Sequence, residues 1–274
     1  MSSAIRSDRI VPFAAVGVFG AALLVLIVTG HTSLRHSGDT PDTTPMLLLW
    51  VPALVGIVLT RLVPPKVTPD TALPDTDPNT AARQGWLLAG TAVAFVVALH
   101  LAPRTPLWFI GLKFGLLLAI PLLLRQVTVR EWLRLDTRGR WLRPLPAAVG
   151  FALACNLVVQ WDGATAPSAL TLAALLLINA TTEEIFYRLW LQTRLEARYG
   201  RWPAIAVTAL LFGAWHSAVQ GGAGTAIDLA SAVLNTGVTG LFLGYFWSRY
   251  RNPWLLILAH EAANTPVAML AAMA

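Results

Sequence analysis

Residues 168–188 read "SALTLAALLLINATTEEIFYR". Ser168 to Ala180 carry no charge, and Glu183, Glu184 and Arg188 then follow in quick succession. An apolar run of this kind fits a helix in hydrocarbon, since a bilayer core takes about 20 mostly apolar residues. Charge at its end demands a reason, because an ionisable group at mid-span costs about 2.5–3.5 kcal/mol on insertion scales. The stretch predicts a membrane helix that carries a polar site.

The rest of the chain repeats the pattern. Of 274 residues, 56% are hydrophobic and 12% charged, and the mean hydropathy of +0.62 lies outside the range of an ordinary soluble domain. Apolar runs near span length recur at roughly 10–30, 44–62, 85–102, 106–124, 144–161, 168–187, 203–220, 226–247 and 253–272. The expected fold is all-α, a polytopic transmembrane helix bundle of about nine spans. The first run follows Arg6 and Arg9 as in a signal peptide, but it exceeds a typical h-region and lacks a small-residue cleavage site, so it reads as a span. With the N-terminus cytoplasmic, all of the 20 basic residues except Arg35, Arg104 and Lys113 fall on the cytoplasmic side. A miscount by one span would scramble that alternation. A re-entrant pair formed by the third and fourth runs is the alternative topology.

The single cysteine, Cys155, excludes an intramolecular disulfide and a cysteine-rich metal site. A pI near 10.2 would suggest nucleic acid in a soluble protein, but here the basic residues lie between spans, so no nucleic-acid partner is expected. Four regions follow: 1–63, a two-span N-terminal addition; 64–84, a cytoplasmic linker around "PPKVTPDTALPDTDPNT"; 85–143, two spans and a basic cytoplasmic loop; and 144–274, the core. The loop segment "RQVTVREWLRLDTRGRWLR" reads either as an amphipathic surface segment on an anionic leaflet or as an ordinary positive-inside loop.

Within the spans, ionisable groups are few: Lys113, Glu183, Glu184, His216, His260 and Glu261, with His100 and Asp228 nearer the interfaces. Glu184 and Arg188 are four residues apart and share a helix face, so they are expected to pair. Glu183 is rotated by about 100° from Glu184 in an α-helix, in line with Asn179 and Tyr187, and so needs another partner. Phe212 and His216 sit one turn apart in the seventh run, as do His260 and Asn264 in the ninth. Glu183, His216, His260 and Asn264 are expected to meet around a water-filled cavity open to the cytoplasm. Lys113 reads as a snorkelling or intrabundle-paired residue, Glu261 as a helix-helix hydrogen-bonding group, and Gly237, Gly240 and Gly244 as a small-residue packing face.

"EEIFYR", "FGAWH" and "HEAAN" resemble, in order and spacing, the EExxxR, FxxxH and HxxxN motifs of the CPBP family, intramembrane proteases related to type II CAAX prenyl endopeptidases and to the Abi group of bacteriocin self-immunity proteins. The resemblance covers roughly residues 144–270. It implies that Glu183 is the general base that activates water, that His216 helps to hold the water, and that His260 and Asn264 stabilise the oxyanion. Glu184 and Arg188 are implied as supporting partners, and Phe212 as a wall. Zn2+ is the cofactor to consider, and Glu183, His216 and His260 are the ligands it would use. "HEAAN" nevertheless has Asn264 where an HExxH zinc site has its second histidine, so a metal-free hydrolysis fits equally well.

The expected partners are the lipid bilayer and a membrane-associated peptide or protein substrate, prenylated or not, at a bacterial cell membrane with the site facing the cytoplasm. Nothing in the sequence sets the oligomeric state. Two rivals come from other classes: a non-proteolytic membrane scaffold or self-immunity protein, and a proton-coupled transporter relaying through Glu183 and His216. Transport would favour internal repeats or matched broken helices, and the sequence has none that can be recognised.

Overall fold

The computed structural model describes residues 2–35, 43–66, 76–133, 141–158 and 168–265. Helices α1 (Ser2–Val28), α2 (Met46–Leu62) and α3 (Pro78–Leu101) are followed by α4 (Pro106–Leu123) and the short α5 (Val129–Leu133). Next come α6 (Leu145–Val158), α7 (Ala169–Tyr199), α8 (Arg201–Gln220), α9 (Thr225–Tyr250) and α10 (Pro253–Asn264). One two-stranded antiparallel hairpin, β1 (Ser33–Arg35) with β2 (Thr43–Pro45), links α1 to α2.

Helix thus occupies each of the predicted apolar runs, but they differ in length. Among the described residues, six helices are long and apolar enough to cross a membrane: Ile10–Val28 within α1, α3, α4, α7, α8 and α9. α2 and α6 are apolar but shorter, at 17 and 14 residues, and the expected continuation of α10 to residue 272 lies outside the described residues. Large apolar side chains such as Leu47, Leu101, Leu157 and Leu170 stand exposed, as lipid-facing positions should.

The third helix starts earlier than its hydropathy suggests. Asp77 accepts hydrogen bonds from the Asn79 and Thr80 amides at 2.9 and 3.0 Å, and Pro78 takes the first helical position, where no amide donor is needed. The Thr80 hydroxyl, with those two amides, holds the Asp77 carboxyl below the usual carboxylate range. The end of the expected 64–84 linker is therefore a capped first turn, while residues 67–75 lie outside the described residues.

The described residues of the 1–63 region pack against the rest of the bundle. Trp50 donates its indole N–H to the Leu234 carbonyl at 2.7 Å, Tyr250 donates to Val63 at 2.6 Å, and Asn235 donates to Arg35 at 3.0 Å. Phe151 on α6 stacks on Phe242 of α9 with centroids 4.4 Å apart, in a core that includes Ala53 of α2.

Three arginines assigned to cytoplasmic loops are buried instead. Arg188 lies inside α7, which continues well past residue 187, and Arg194 pairs with Glu131 while Arg251 pairs with Glu196. Arg194 donates to both Glu131 oxygens at 3.0 Å, to Gln84 at 3.0 Å and to the Gln126 carbonyl at 2.8 Å, so it fastens the α4–α5 connection onto α7. The described part of the 125–143 segment is thereby tied to the bundle through Glu131; residues 134–140 lie outside the described residues.

The small-residue face on α9 allows close approach to α8. A Cβ added at Gly213 would stand 3.0 Å from Gly237 Cα, and one at Gly240 3.1 Å from Ala209 Cα. Backbone cannot yield as a side-chain tip does. Gly213→Val is expected to lower stability by about 1–3 kcal/mol, read as a reduced thermal midpoint of the protein in nanodiscs, whereas Gly90→Ala, with open space around the glycine, should not.

Candidate active site

The polar residues meet because α7 is not a simple α-helix. Leu175–Thr181 and Glu184–Gln192 are π-helical, with Glu183 at the start of the second stretch. Threonine hydroxyls mark the wider turn: Thr181 donates to the Leu176 carbonyl at 2.8 Å and Thr193 to that of Arg188 at 3.0 Å, five residues back in each case. Such π segments often accompany functional sites, because the extra residue per turn re-aims side chains. Here it turns both adjacent carboxylates inward, with Glu183 2% and Glu184 1% exposed.

Glu184 pairs with Arg188 at 2.8 Å, as the four-residue spacing predicts. The same Glu184 Oε1 also receives His260 Nδ1 of α10 at 2.6 Å. A carboxylate only accepts, so Nδ1 carries the hydrogen and His260 Nε2 is left to face Glu183 Oε2, 3.7 Å away. One imidazole thus lies between both glutamates.

Glu183 is not the unpartnered group that its α-helical angle suggested. Its Oε1 is held by the Lys113 ammonium from α4, which also donates to Asn179 Oδ1 at 2.7 Å. Lys113 is completely buried. Its charge lies 4.8 Å from the Phe109 ring centroid and 5.1 Å from that of Trp215. Lys113 therefore pairs inside the bundle and does not snorkel. Glu183 Oε2, by contrast, is buried with no hydrogen-bond partner among the described residues, as are Glu184 Oε2 and the Tyr187 hydroxyl.

His216 on α8 is partly buried and donates from Nδ1 to the Phe212 carbonyl at 2.8 Å, which leaves Nε2 of the neutral ring as an acceptor. Trp215 stacks against it at 3.7 Å between centroids. Phe212 is a wall of the cluster: its ring meets His260, His216 and Tyr187 at 5.6, 4.9 and 5.4 Å and carries the Arg188 guanidinium at 4.2 Å. Asn264, at the end of α10, is partly exposed and sits beside Glu261 on its own helix. Glu261 accepts from the Thr265 hydroxyl at 2.6 Å, so its described bond is within its own helix end rather than between helices.

The structure therefore brings Glu183, Glu184, Arg188, Phe212 and His260 into one packed cluster, with His216 on its edge and Asn264 one turn beyond His260. The near-complete burial of Glu183 and His260 makes this an enclosed site and not the wall of an open basin. Lys113, Asn179 and Trp215 belong to it as well. The sequence signal for Lys113 was its rarity, as the one lysine within an apolar run; its partner was not readable.

The donor set does not suit a metal ion. Lys113 and Arg188 already place fixed positive charges on the two glutamates, and no group of three or more His, Cys, Asp or Glu among the described residues is arranged to hold one. A cation there would compete with two others in a poorly screened interior.

A buried charge stripped of its partner is costly, about 3–5 kcal/mol for a pair of this kind. Arg188→Met is accordingly expected to lower the thermal midpoint in nanodiscs sharply, and adding Glu184→Gln to recover much of the loss. Equal midpoints for the single and double variants would contradict the pairing.

Comparison with known proteins gives one family match, over the part of the chain that carries most of the cluster. Residues 165–266, less than half of the chain, match a family model described as type II CAAX prenyl endopeptidase Rce1-like. No curated protein and no solved structure gives a match. The matched stretch contains Glu183, Glu184, Arg188, Phe212, His216, His260 and Asn264, and the apolar helices around it are those of an integral membrane protein. Residues 165–266 are thus similar to an Rce1-like, type II CAAX prenyl endopeptidase domain, carried in a chain whose helices are long and apolar enough to cross a membrane.

Proposed function

We propose that this protein is an intramembrane endopeptidase that hydrolyses peptide bonds of membrane-associated, CAAX-like peptides with water activated by Glu183. The observation that carries the reading is the division within the glutamate pair. Arg188 and His260 Nδ1 share Glu184 Oε1, and Glu184 Oε2, like Glu183 Oε2, is buried with no hydrogen-bond partner among the described residues; it is Glu183 that turns this oxygen toward His260 Nε2, 3.7 Å away.

In this reading Glu183 Oε2 takes a proton from water as its oxygen adds to the peptide carbonyl carbon. His216 Nε2, an acceptor by virtue of the Nδ1 bond to Phe212, receives the other water hydrogen as a hydrogen bond. The imidazolium form of His260 donates from Nε2 to the tetrahedral oxyanion, and Glu184 offsets its charge through Nδ1. Asn264 adds a second donor once its side chain turns from Glu261 toward the carbonyl. Collapse breaks the C–N bond, and Glu183 returns its proton to the departing amine.

The distribution of basic residues favours a cytoplasmic N-terminus and a site that faces the cytoplasm, with α2, α6 and α10 completing about nine spans. α2 is short for a full crossing. A 17-residue helix rises about 26 Å, so α2 would need local thinning of the bilayer or support from its neighbours. A prenyl chain on the substrate would be held by the same hydrocarbon that surrounds the helices.

The test is cleavage of an internally quenched farnesylated CAAX peptide by the full chain in nanodiscs. Glu183→Gln and His260→Ala, if folded, should each lose at least about 100-fold in kcat/KM, and Asn264→Ala about 10- to 100-fold. Wild-type rates in the Glu183 and His260 variants would sink the glutamate-activated site, and wild-type protein that cleaves nothing would leave a scaffold role. Because no step uses a metal, activity should survive prolonged dialysis against a strong chelator, with elemental analysis of the same sample as the check; loss of activity restored by zinc would overturn the metal-free route.

A further inference from the structure

One charged member of the cluster lies outside the family match. Lys113 belongs to α4, well before residues 165–266, yet its ammonium meets Glu183 directly, donates to Asn179 at 2.7 Å and is flanked by the rings of Phe109 and Trp215. Trp215 in turn stacks on His216. Charge balance alone would be met by a cation in any nearby orientation. This one is fixed by two oxygens and two aromatic faces.

That fixation bears on which glutamate oxygen is chemically available. The terminal torsion of a glutamate is broad and roughly two-fold, so a free carboxylate exchanges its oxygens readily. Once Lys113 holds Oε1, the exchange is blocked, and Oε2 is left facing His260 Nε2 at 3.7 Å with no hydrogen bond of its own among the described residues. The helix supports this placement. Lys113 sits at the end of the α-helical segment Pro106–Phe114, and the π-helical stretch Gly115–Ala119 follows, so the wider turn begins just beyond the lysine.

We propose that Lys113 is a positioning residue of the hydrolytic site, which holds Glu183 Oε1 so that Oε2 is the oxygen that activates water. The proposal rests on the proteolytic reading above. Lys113 acts through Glu183 and does not itself touch substrate. Asn179, the second oxygen on the ammonium, belongs to the same device.

The experiment uses the full chain in nanodiscs with the quenched farnesylated peptide, and measures kcat, KM and thermal midpoint for each variant. Lys113→Met should lower kcat about 10- to 100-fold with KM changed less than about threefold, as for a displaced catalytic group. Asn179→Leu keeps the ion pair but loses one tether, and should lower kcat about three- to tenfold with KM again little changed. Lys113→Arg retains the charge and should recover part of the kcat lost in Lys113→Met. If Lys113→Met does not insert, Asn179→Leu decides alone. A folded Lys113→Met or Asn179→Leu with kcat within about twofold of wild type overturns the proposal, as does a loss that appears in KM alone. Cleavage that requires Glu183 but neither Lys113 nor Asn179 leaves the proteolytic reading standing and removes only this inference. Wild-type protein that cleaves nothing removes both.

Discussion

Two carboxylates buried side by side in an apolar bundle repel each other and lose their hydration, so the helices around them must supply cations or the arrangement cannot persist. The structure meets this requirement with two separate ion pairs. Arg188 comes from the same helix as Glu184, and Lys113 comes from α4 to meet Glu183. His260 of α10 touches both carboxylates and joins the pairs into one cluster. The demand for charge compensation therefore ties α4, α7 and α10 together at one place, and Phe212 on α8 closes it by carrying the Arg188 guanidinium on its ring.

The two carboxylates are compensated in different ways. Glu184 shares one oxygen between Arg188 and His260, and so serves as a fixed negative charge that orients the imidazole. Glu183 has one oxygen tied to Lys113 and the other facing His260 Nε2 at 3.7 Å. Elsewhere the bundle uses buried ion pairs for fastening: Arg194 donates at several points to Glu131, Gln84 and the Gln126 carbonyl, and Arg251 pairs with Glu196 at 3.1 Å. In the Arg194 network both Glu131 oxygens are engaged, whereas at Glu183 one oxygen is left facing an imidazole nitrogen.

Much of this was legible in the residues. Hydrophobic run length located the helices, because hydrocarbon imposes a minimum apolar length that no local context overrides. Four-residue spacing forecast Glu184 with Arg188, since neighbours on one helix are related by the helix itself. Errors arose where a local feature overruled a general one. Asp77 and Pro78 start α3 inside a stretch that reads as linker, because a cap depends on two residues rather than on average hydropathy. Arg194 and Arg251 were read as loop cations by the positive-inside pattern, which cannot distinguish a solvated arginine from one neutralised by a partner distant in sequence.

The sequence by itself determined an all-α membrane fold and singled out the candidate residues of the site, because bilayer energetics and the rarity of buried charge act on each segment separately. Only the tertiary structure decided who partners whom. The α-helical angle between Glu183 and Glu184 placed them on different faces, and the π turns of α7 brought both inward. No spacing rule links Lys113 to Glu183 across seventy residues, because their contact exists only when α4 packs against α7, and that packing is set by the whole bundle rather than by either helix.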